Sequence, residues 1–442
     1  MTKLNNKELL QVQRSFSECT IKDKYAITII KSDTVCDEDC LQDLLKPINH
    51  KEVDGDMQYN RRSKPAIHGI FSKLNNVKCK DSSTSSHNFD YADQEDKGTD
   101  PAGTQLKKEV SMNWEDYHRL SVIYKFLDDL QDTHPSICTV GTIGSSLEKR
   151  DIKVLRITNS QASNVGVWID AGIHAREWIG PAVCTYIANY IADNFDELPD
   201  NMTNKDWYFL PVANPDGYEY THTNHRMWRK NKHRLRTGEC VGVDLNRNFS
   251  QGWGQPGSSD APNHAFYRGT QPFSEPEARA MRDMLTNPRI NYKVYITLHS
   301  FGQVIIFPFA YRDELSKSYI QLLDGATAMS RAIYESTGNI YKVGVSRDVM
   351  YKAAGTSNDF SHGVAKIPFC YLIELRSRRH KFLLPKEEIA VTCKEILSCV
   401  KALMGVVDSY EKDASSTDST TLINVESGTN QKENAGMGGE TR

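Results

Sequence analysis

Apolar positions recur along this chain with two different periods, and the changes of period outline its elements. Leu120, Ile123, Leu127 and Leu130 recur at helical spacing. Segment 152–157, Ile-Lys-Val-Leu-Arg-Ile, reads as a strand. The apolar run Val165-Gly-Val-Trp-Ile169 reads as another and meets a turn built on Gly172. Val183, Ile187, Tyr190 and Ile191 then give a helix with Pro181 in its first turn, where a missing N–H costs nothing. Strands at 206–212, 292–298, 303–307 and 367–373 alternate with helices at 276–285, 315–335 and 386–405. This order predicts an α/β domain, a mixed β-sheet flanked by helices on both faces.

The pattern fades at both ends. Residues 1–108 are a polar leader, with one strand signal at 25–30, one helix signal at 66–74 and the stretch Asp81-Ser-Ser-Thr-Ser-Ser-His87. Residues 109–408 carry the periodic core. Residues 409–442 are rich in Ser, Thr, Gly, Asn and Glu and nearly free of aromatics, so they are expected to be a disordered tail. With 442 residues, the chain suits one large domain plus accessories. Hydrophobic content of 39% and charged content of 25% are those of a soluble globular protein. A net charge of −3 makes no case for nucleic acid or membrane binding. No run approaches the ~20 apolar residues that span a bilayer.

Four segment ends carry the candidate chemistry. His174-Ala-Arg-Glu177 sits between the strand at 165–169 and the helix opened by Trp178-Ile-Gly-Pro181. A His and a Glu three residues apart on such a bend can aim a ring nitrogen and a carboxylate at one point. A hydrolytic zinc needs that pair, one more protein ligand and an open position. Alone, His-x-x-Glu is a weak signal. The strand at 292–298 ends in His299-Ser300, and the strand at 367–373 ends in Glu374-Leu-Arg376. A third apolar segment, 241–249, runs into Asn246 and Arg247 and is read here as another strand end. In open α/β sheets, ligands bind at that edge.

With these residues in view, the chain resembles the zinc metallocarboxypeptidases of the A/B type. His-Ala-Arg-Glu-Trp at 174–178, Asn-Pro-Asp-Gly-Tyr at 214–218, Trp-Arg-Lys at 228–230 and Val-Asp-Leu-Asn-Arg-Asn-Phe at 243–249 match in order. Phe-Ser-Glu-Pro-Glu at 273–277, Leu-His-Ser at 298–300 and Glu-Leu-Arg at 374–376 complete the series, which covers about residues 111–408. The resemblance implies one Zn2+ held by His174, Glu177 and His299, with Asp244 hydrogen-bonded to a ligand histidine. It implies Glu374 as general base toward a zinc-activated water and Arg229 as a donor to the scissile carbonyl oxygen. Asn246 and Arg247 would clamp the terminal carboxylate of a peptide or protein substrate, and Tyr351 would close over it. Arg176 would touch residues upstream of the scissile bond, and Asn358 would lie in the side-chain pocket. Phe301 stands where family members often have Tyr, which removes a hydroxyl from a subsite.

The same resemblance implies that residues 1–108 are an inhibitory prodomain, cut at Lys107-Lys108 by a trypsin-like protease. A degenerate leader without that role is the alternative. It implies an extracellular protein, yet residues 1–33 contain no secretory signal, which leaves a cytoplasmic placement open. Among ten cysteines, Cys36 and Cys40 are close enough to bridge or to bind metal. Cys184, Cys370, Cys393 and Cys399 read as buried small residues. Cys240 occupies a position that bridges to the following loop in the resembling enzymes, but Asn263 stands where its partner would be, so that bridge is expected to be missing. Asn201 and Asn248 begin glycosylation motifs, the second discounted because it lies in the implied active site. A zinc-binding pseudoenzyme would have lost Glu374, Arg229 or a ligand, and a purely structural protein would not need this constellation. The motifs also favour the A/B type over regulatory or tubulin-trimming carboxypeptidases.

Overall fold

The computed structural model describes residues 111–428, with side chains through Asp413. The expected elements at 25–30 and 66–74, the Cys36 and Cys40 pair and Lys107-Lys108 lie outside the described residues. Helix α1 (Leu120–Thr133) leads into strands β1 (Cys138–Ser145), β2 (Asp151–Ile157) and β3 (Val165–Ala171). Helix α2 (Ile179–Asp193) and the single turn α3 (Asp200–Thr203) return the chain to β4 (Lys205–Leu210), and α4 (Pro215–Thr223) follows. A long irregular stretch reaches α5 (Pro276–Leu285), β5 (Tyr292–Ser300) and β6 (Val304–Phe307). Helix α6 (Tyr319–Thr337), strand β7 (Lys342–Val345) and the short helices α7 (Ser346–Val349) and α8 (Ser357–Gly363) come next. Strand β8 (Phe369–Leu375) and helix α9 (Ile389–Gly428) close the described chain.

The eight strands form one sheet in the order β1-β2-β4-β3-β5-β8-β6-β7. Its four middle strands, β4, β3, β5 and β8, run parallel, and β1 and β2 add to one side antiparallel. The chain leaves β3 for β4 on one side and later returns to β5 on the other. The strand order therefore reverses at β3, which opens a crevice beyond the carboxyl ends of β3 and β5. Side chains alternate across the sheet. Val167, Ile169, Ile296 and Ile373 pack under α1, α2, α6 and α9. Trp168 and Tyr295 face the other way, toward Met281 of α5 and Phe360 of α8. Burial of both faces explains the near-continuous apolar runs of the middle strands.

Two expectations are corrected. Segment 241–249 is not a strand: Cys240 makes an isolated bridge to Arg234, and residues Leu245–Arg247 form one 3-10 turn. Gly242 has a left-handed φ of 64°, and the Asp244 side chain accepts from Asn246 N at 3.0 Å, so side-chain bonds replace a ladder. The helix expected at 386–405 also runs longer. Helix α9 runs on to Gly428, Tyr410 packs on Phe369 with ring centroids 5.7 Å apart, and its hydroxyl donates to Asp324 at 2.6 Å.

Candidate metal centre and substrate cleft

The turn after β3 is built by close approach. Gly172 has φ 65°, and a Cβ there would lie 3.2 Å from both Pro211 O and Val212 Cα. Only glycine adopts that conformation without cost. A Cβ at Gly180 would lie 3.1 Å from Leu298 O, so the start of α2 packs directly on the end of β5. That contact brings His174 and Glu177, on the turn, to His299, the penultimate residue of β5.

The three side chains converge. His174 Nδ1 lies 2.8 Å from Glu177 Oε1, His299 Nδ1 lies 3.0 Å from Glu177 Oε2, and the two Nδ1 atoms are 3.1 Å apart. All three residues are at least nine-tenths buried, at 4%, 3% and 1% exposure. Ser300 N donates to Glu177 Oε2 at 3.1 Å and fixes the carboxylate. Burial pushes the Glu177 carboxyl up, but its contacts with His174 and His299 outweigh it and hold the group below its ordinary range.

Asp244 decides what this cluster can hold. Its Oδ1 lies 3.1 Å from His174 Nε2. Its Oδ2 accepts from Arg229 Nε at 3.1 Å and Nη2 at 3.0 Å. Burial opposes its ionisation, but Arg229, His174 and Arg247 prevail and keep it well below the usual carboxylate range. An ionised Asp244 can only accept, so a neutral His174 bonded to it carries its proton on Nε2 and presents a lone pair at Nδ1. That lone pair, the facing His299 nitrogen and a buried carboxylate repel one another unless a cation lies between them. Two imidazoles and a carboxylate suit zinc, and these three residues are the metal-ligating group found among the described residues.

Glu374 is half-buried on β8, paired in register with His299 of β5. A Cβ at Gly302 would lie 3.0 Å from Glu374 Cβ, so the turn after β5 walls the glutamate in. Arg229 Nη1 is 3.9 Å from Glu177 Oε1, and Ala175 N bonds to Arg229 O at 3.0 Å, which ties this arginine to the metal turn.

A second group lies alongside. Arg247 is buried, with Nε donating to Gly257 O and Nη1 to Asn246 O, both at 2.8 Å, while Nη2 is buried and has no partner among the described residues. Asn246 Oδ1 accepts from Ser357 N at 2.9 Å. The Phe266 ring lies 4.7 Å from the Arg247 guanidinium and 5.3 Å from that of Arg229, and it stacks on Tyr351 at 6.1 Å. Sequence reasoning missed Phe266 and Gly302, because an aromatic in a long loop and a glycine in a turn carry no signal there.

Asn358 is buried, and neither polar atom of its amide has a partner. Its neighbour Asp359 turns toward the 310 segment and accepts from Ala310 N at 2.9 Å. Arg347 Nη1 donates to Phe309 O at 3.4 Å, and its Nε lies 3.5 Å from Asp348 and 3.9 Å from Asp313. Leu372 joins Val304, Ile306 and Met350 in an apolar cluster against which Tyr351 packs. Arg176 stacks 3.8 Å above Phe382, which meets Phe301 edge-on at 4.9 Å. Cys240 is unbridged, as expected, and six cysteines are free among the described residues. Asn248 is fully buried and donates to Arg268 O and Gln271 O, so its glycosylation motif is inaccessible.

A buried two-histidine, one-glutamate centre at the switch point of a mixed sheet, flanked by a second glutamate and two arginines, defines a zinc peptidase. Comparison with known proteins agrees. Residues 123–398 match the family model described as "Zinc carboxypeptidase". Carboxypeptidase B of Astacus astacus is 38% identical over 304 residues, which is 68% of this chain and 100% of that protein. Carboxypeptidase O of Bos taurus is 33% identical over 332 residues, 71% of this chain and 88% of that one. The crystal structure of carboxypeptidase A from Helicoverpa armigera superposes with a TM-score of 0.65 at 31% identity, covering 69% of this chain and 78% of the other. The chain belongs to the zinc carboxypeptidase family. It is a zinc-dependent hydrolase that removes C-terminal residues from peptides. Among the described residues, no helix is long and apolar enough to cross a membrane.

Proposed function

We propose that His174, Glu177 and His299 hold the zinc, with Asp244 fixing the His174 tautomer, and that Glu374 and Arg229 carry the proton and charge transfers. The zinc, when bound, supplies Lewis-acid activation. Glu374 takes a proton from the attacking water as its oxygen bonds to the scissile carbonyl carbon. It returns that proton to the leaving amine as the C–N bond breaks. Arg229, aligned by Asp244, donates to the carbonyl oxygen as negative charge develops on it.

Release of one residue at a time rests on Arg247. Its buried, unpartnered Nη2 calls for an anion, and a terminal carboxylate meets a guanidinium fork well. Asn246 lies beside it, and Tyr351, stacked on Phe266, closes over the bound end. Arg176 contacts residues upstream of the scissile bond. The test is mass spectrometry of paired peptides with free and amidated C-termini. Free peptides are expected to shorten stepwise and amidated ones to persist; equal cleavage of both rejects the reading. Arg247→Ala should raise KM strongly for the free peptides.

Asn358 is assigned to the side-chain pocket. An uncharged amide does not offset the desolvation of a Lys or Arg head group. Asp359 is engaged with Ala310 N, which leaves Asn358 as the reader. Neutral C-terminal residues, apolar or polar, are therefore favoured over Lys and Arg. Hippuryl substrates ending in Phe, Arg and Glu decide this, and Arg as the best of the three overturns it.

We infer further that residues 1–108 are a leader whose removal at Lys107-Lys108 by a trypsin-like protease activates a secreted enzyme. The support is the family resemblance and that dibasic pair. A chain starting near Ser111 should outpace the full-length chain, and equal rates would remove the inhibitory role. Detection of the protein in the medium of expressing cells, or in their cytosol, settles the compartment.

A further inference from the structure

Beyond the metal centre, the mouth of the cleft gathers positive charge on a chain whose net charge is −3. After Glu374-Leu375, the sequence reads Arg376-Ser-Arg378-Arg379-His-Lys381. Arg376 turns inward to Glu388 and Glu395. Arg378, Arg379 and Lys381 are exposed, and they form no ion pair among the described residues. Arg378 Nε donates to Gly302 O at 3.1 Å, and Gly302 is the residue that walls in Glu374. Arg378 thus stands at the turn beside Glu374, and Arg379 and Lys381 follow it on the same loop.

Their loop is held. Lys381 N donates to Ser377 O at 2.9 Å, His380 N to Ser377 Oγ at 3.1 Å and Leu383 N to His380 O at 2.9 Å. The next residue, Phe382, packs on Phe301 and lies under Arg176. Arg226 Nη1 donates to Arg176 O and Nη2 to Phe382 O, both at 2.8 Å, so the loop is tied to the metal turn. Fixed cations of one sign around a cleft raise the local concentration of oppositely charged substrate and its rate of arrival, about 10- to 1000-fold in strong cases.

We propose that this rim selects peptides carrying carboxylates at the third and fourth positions from the C-terminus, upstream of the scissile bond. The inference rests on the carboxypeptidase reading and adds a substrate class to it. Arg378 and Arg379 offer guanidinium forks to carboxylate side chains, and Lys381 adds a third charge. The attraction acts between exposed groups, so salt screens it.

The test uses two peptides with the same last two residues, bearing Glu-Glu or Lys-Lys at the third and fourth positions. At low salt, the acidic peptide is expected to show roughly tenfold higher kcat/KM, with a gap that narrows as salt rises. The combined variant Arg379→Glu, Lys381→Glu, which leaves the Arg378 bond to Gly302 in place, should invert the order while cleaving a blocked dipeptide, too short to reach the rim, as the native enzyme does. Equal kcat/KM for both peptides at low salt, with the dipeptide cleaved normally, overturns the inference and leaves the carboxypeptidase reading intact. If even the dipeptide is untouched, that reading fails instead. The rim is then judged by fluorescence titration of the labelled peptides, where equal affinities overturn it and tighter binding of the acidic one supports it.

Discussion

Glu177 and Glu374 lie in one cleft with opposite assignments, and their surroundings separate them. Glu177 is enclosed by two imidazoles and a backbone N–H, a setting for a permanently ionised ligand. Glu374 is half-buried at a strand end, in register with His299. Glu374→Gln is therefore expected to retain zinc and to lose turnover by at least about 100-fold, the lower end for a general acid–base group. Elemental analysis beside a rate measurement checks it, and more than about a tenth of native activity would reject the base assignment. His299→Ala should lose the metal itself, and full zinc content in that variant would remove His299 from the ligand set. Asp244→Asn tests the link between Arg229 and His174. Loss of an ionic partner to a ligand histidine costs about 10- to 100-fold in metal affinity, read by competition with a chelator. The three residues of the candidate metal site were legible in the sequence because each ends a strand or lies on a strand-to-helix bend. Phe266, Gly302 and the Asp359 contact to Ala310 were not, because ring contacts and side-chain-to-backbone bonds between residues far apart in sequence set them.

At the scale of elements, legibility followed amphipathic burial. Helix α5 runs Pro276–Leu285 as the sequence predicts, since a first-turn proline fixes its start and one face alone is apolar. Strand β1 went unread because, at the sheet edge, only Cys138 of its eight residues is buried. Helix α9 was ended too early, since composition gave no sign that its later turns still hold a partner. Lys205, on β4, is 1% exposed, and its ammonium bonds Asp408 Oδ1 at 2.6 Å and Asn204 Oδ1 at 2.5 Å. Burial lowers the Lys205 pKa, and Asp408 opposes that shift. Breaking a buried pair strands a charge and costs about 3–5 kcal/mol. Asp408 is partly open to water, so Asp408→Ala is expected to cost less, about 2 kcal/mol. Urea unfolding measures this, and an unchanged midpoint would show that the Lys205–Asp408 pair adds nothing to stability.

For the whole molecule, the pH dependence of stability gives the last expectation. Glu277, on the first turn of α5, is fully buried with Oε1 unpartnered, and its Oε2 accepts from Asn231 Nδ2 at 3.3 Å. Burial, with a further push from Glu275, raises its pKa from 4.5 to about 7. Between those two values the folded chain binds more protons at this site than the unfolded chain does. The contribution of Glu277 is complete below pH 4.5 and is lost as pH rises through about 7. His233 acts in the same sense above its ordinary value, because its hydrogen bond to Glu275 raises it. Glu275 itself is shifted the other way: burial raises it, but bonds from His233 and Asn231 prevail, so its contribution fades only in acid. Glu277→Gln keeps the shape and an acceptor for Asn231 but removes the titration. Its melting temperature relative to the native chain should therefore rise from pH 4.5 to pH 7, by an amount equivalent to about 3 kcal/mol at most. Calorimetry of both proteins at the two pH values reads the difference. A constant offset would mean that Glu277 titrates alike in the folded and unfolded chains, whereas a growing gap places an uncompensated charge between Asn231 and α5 at neutral pH.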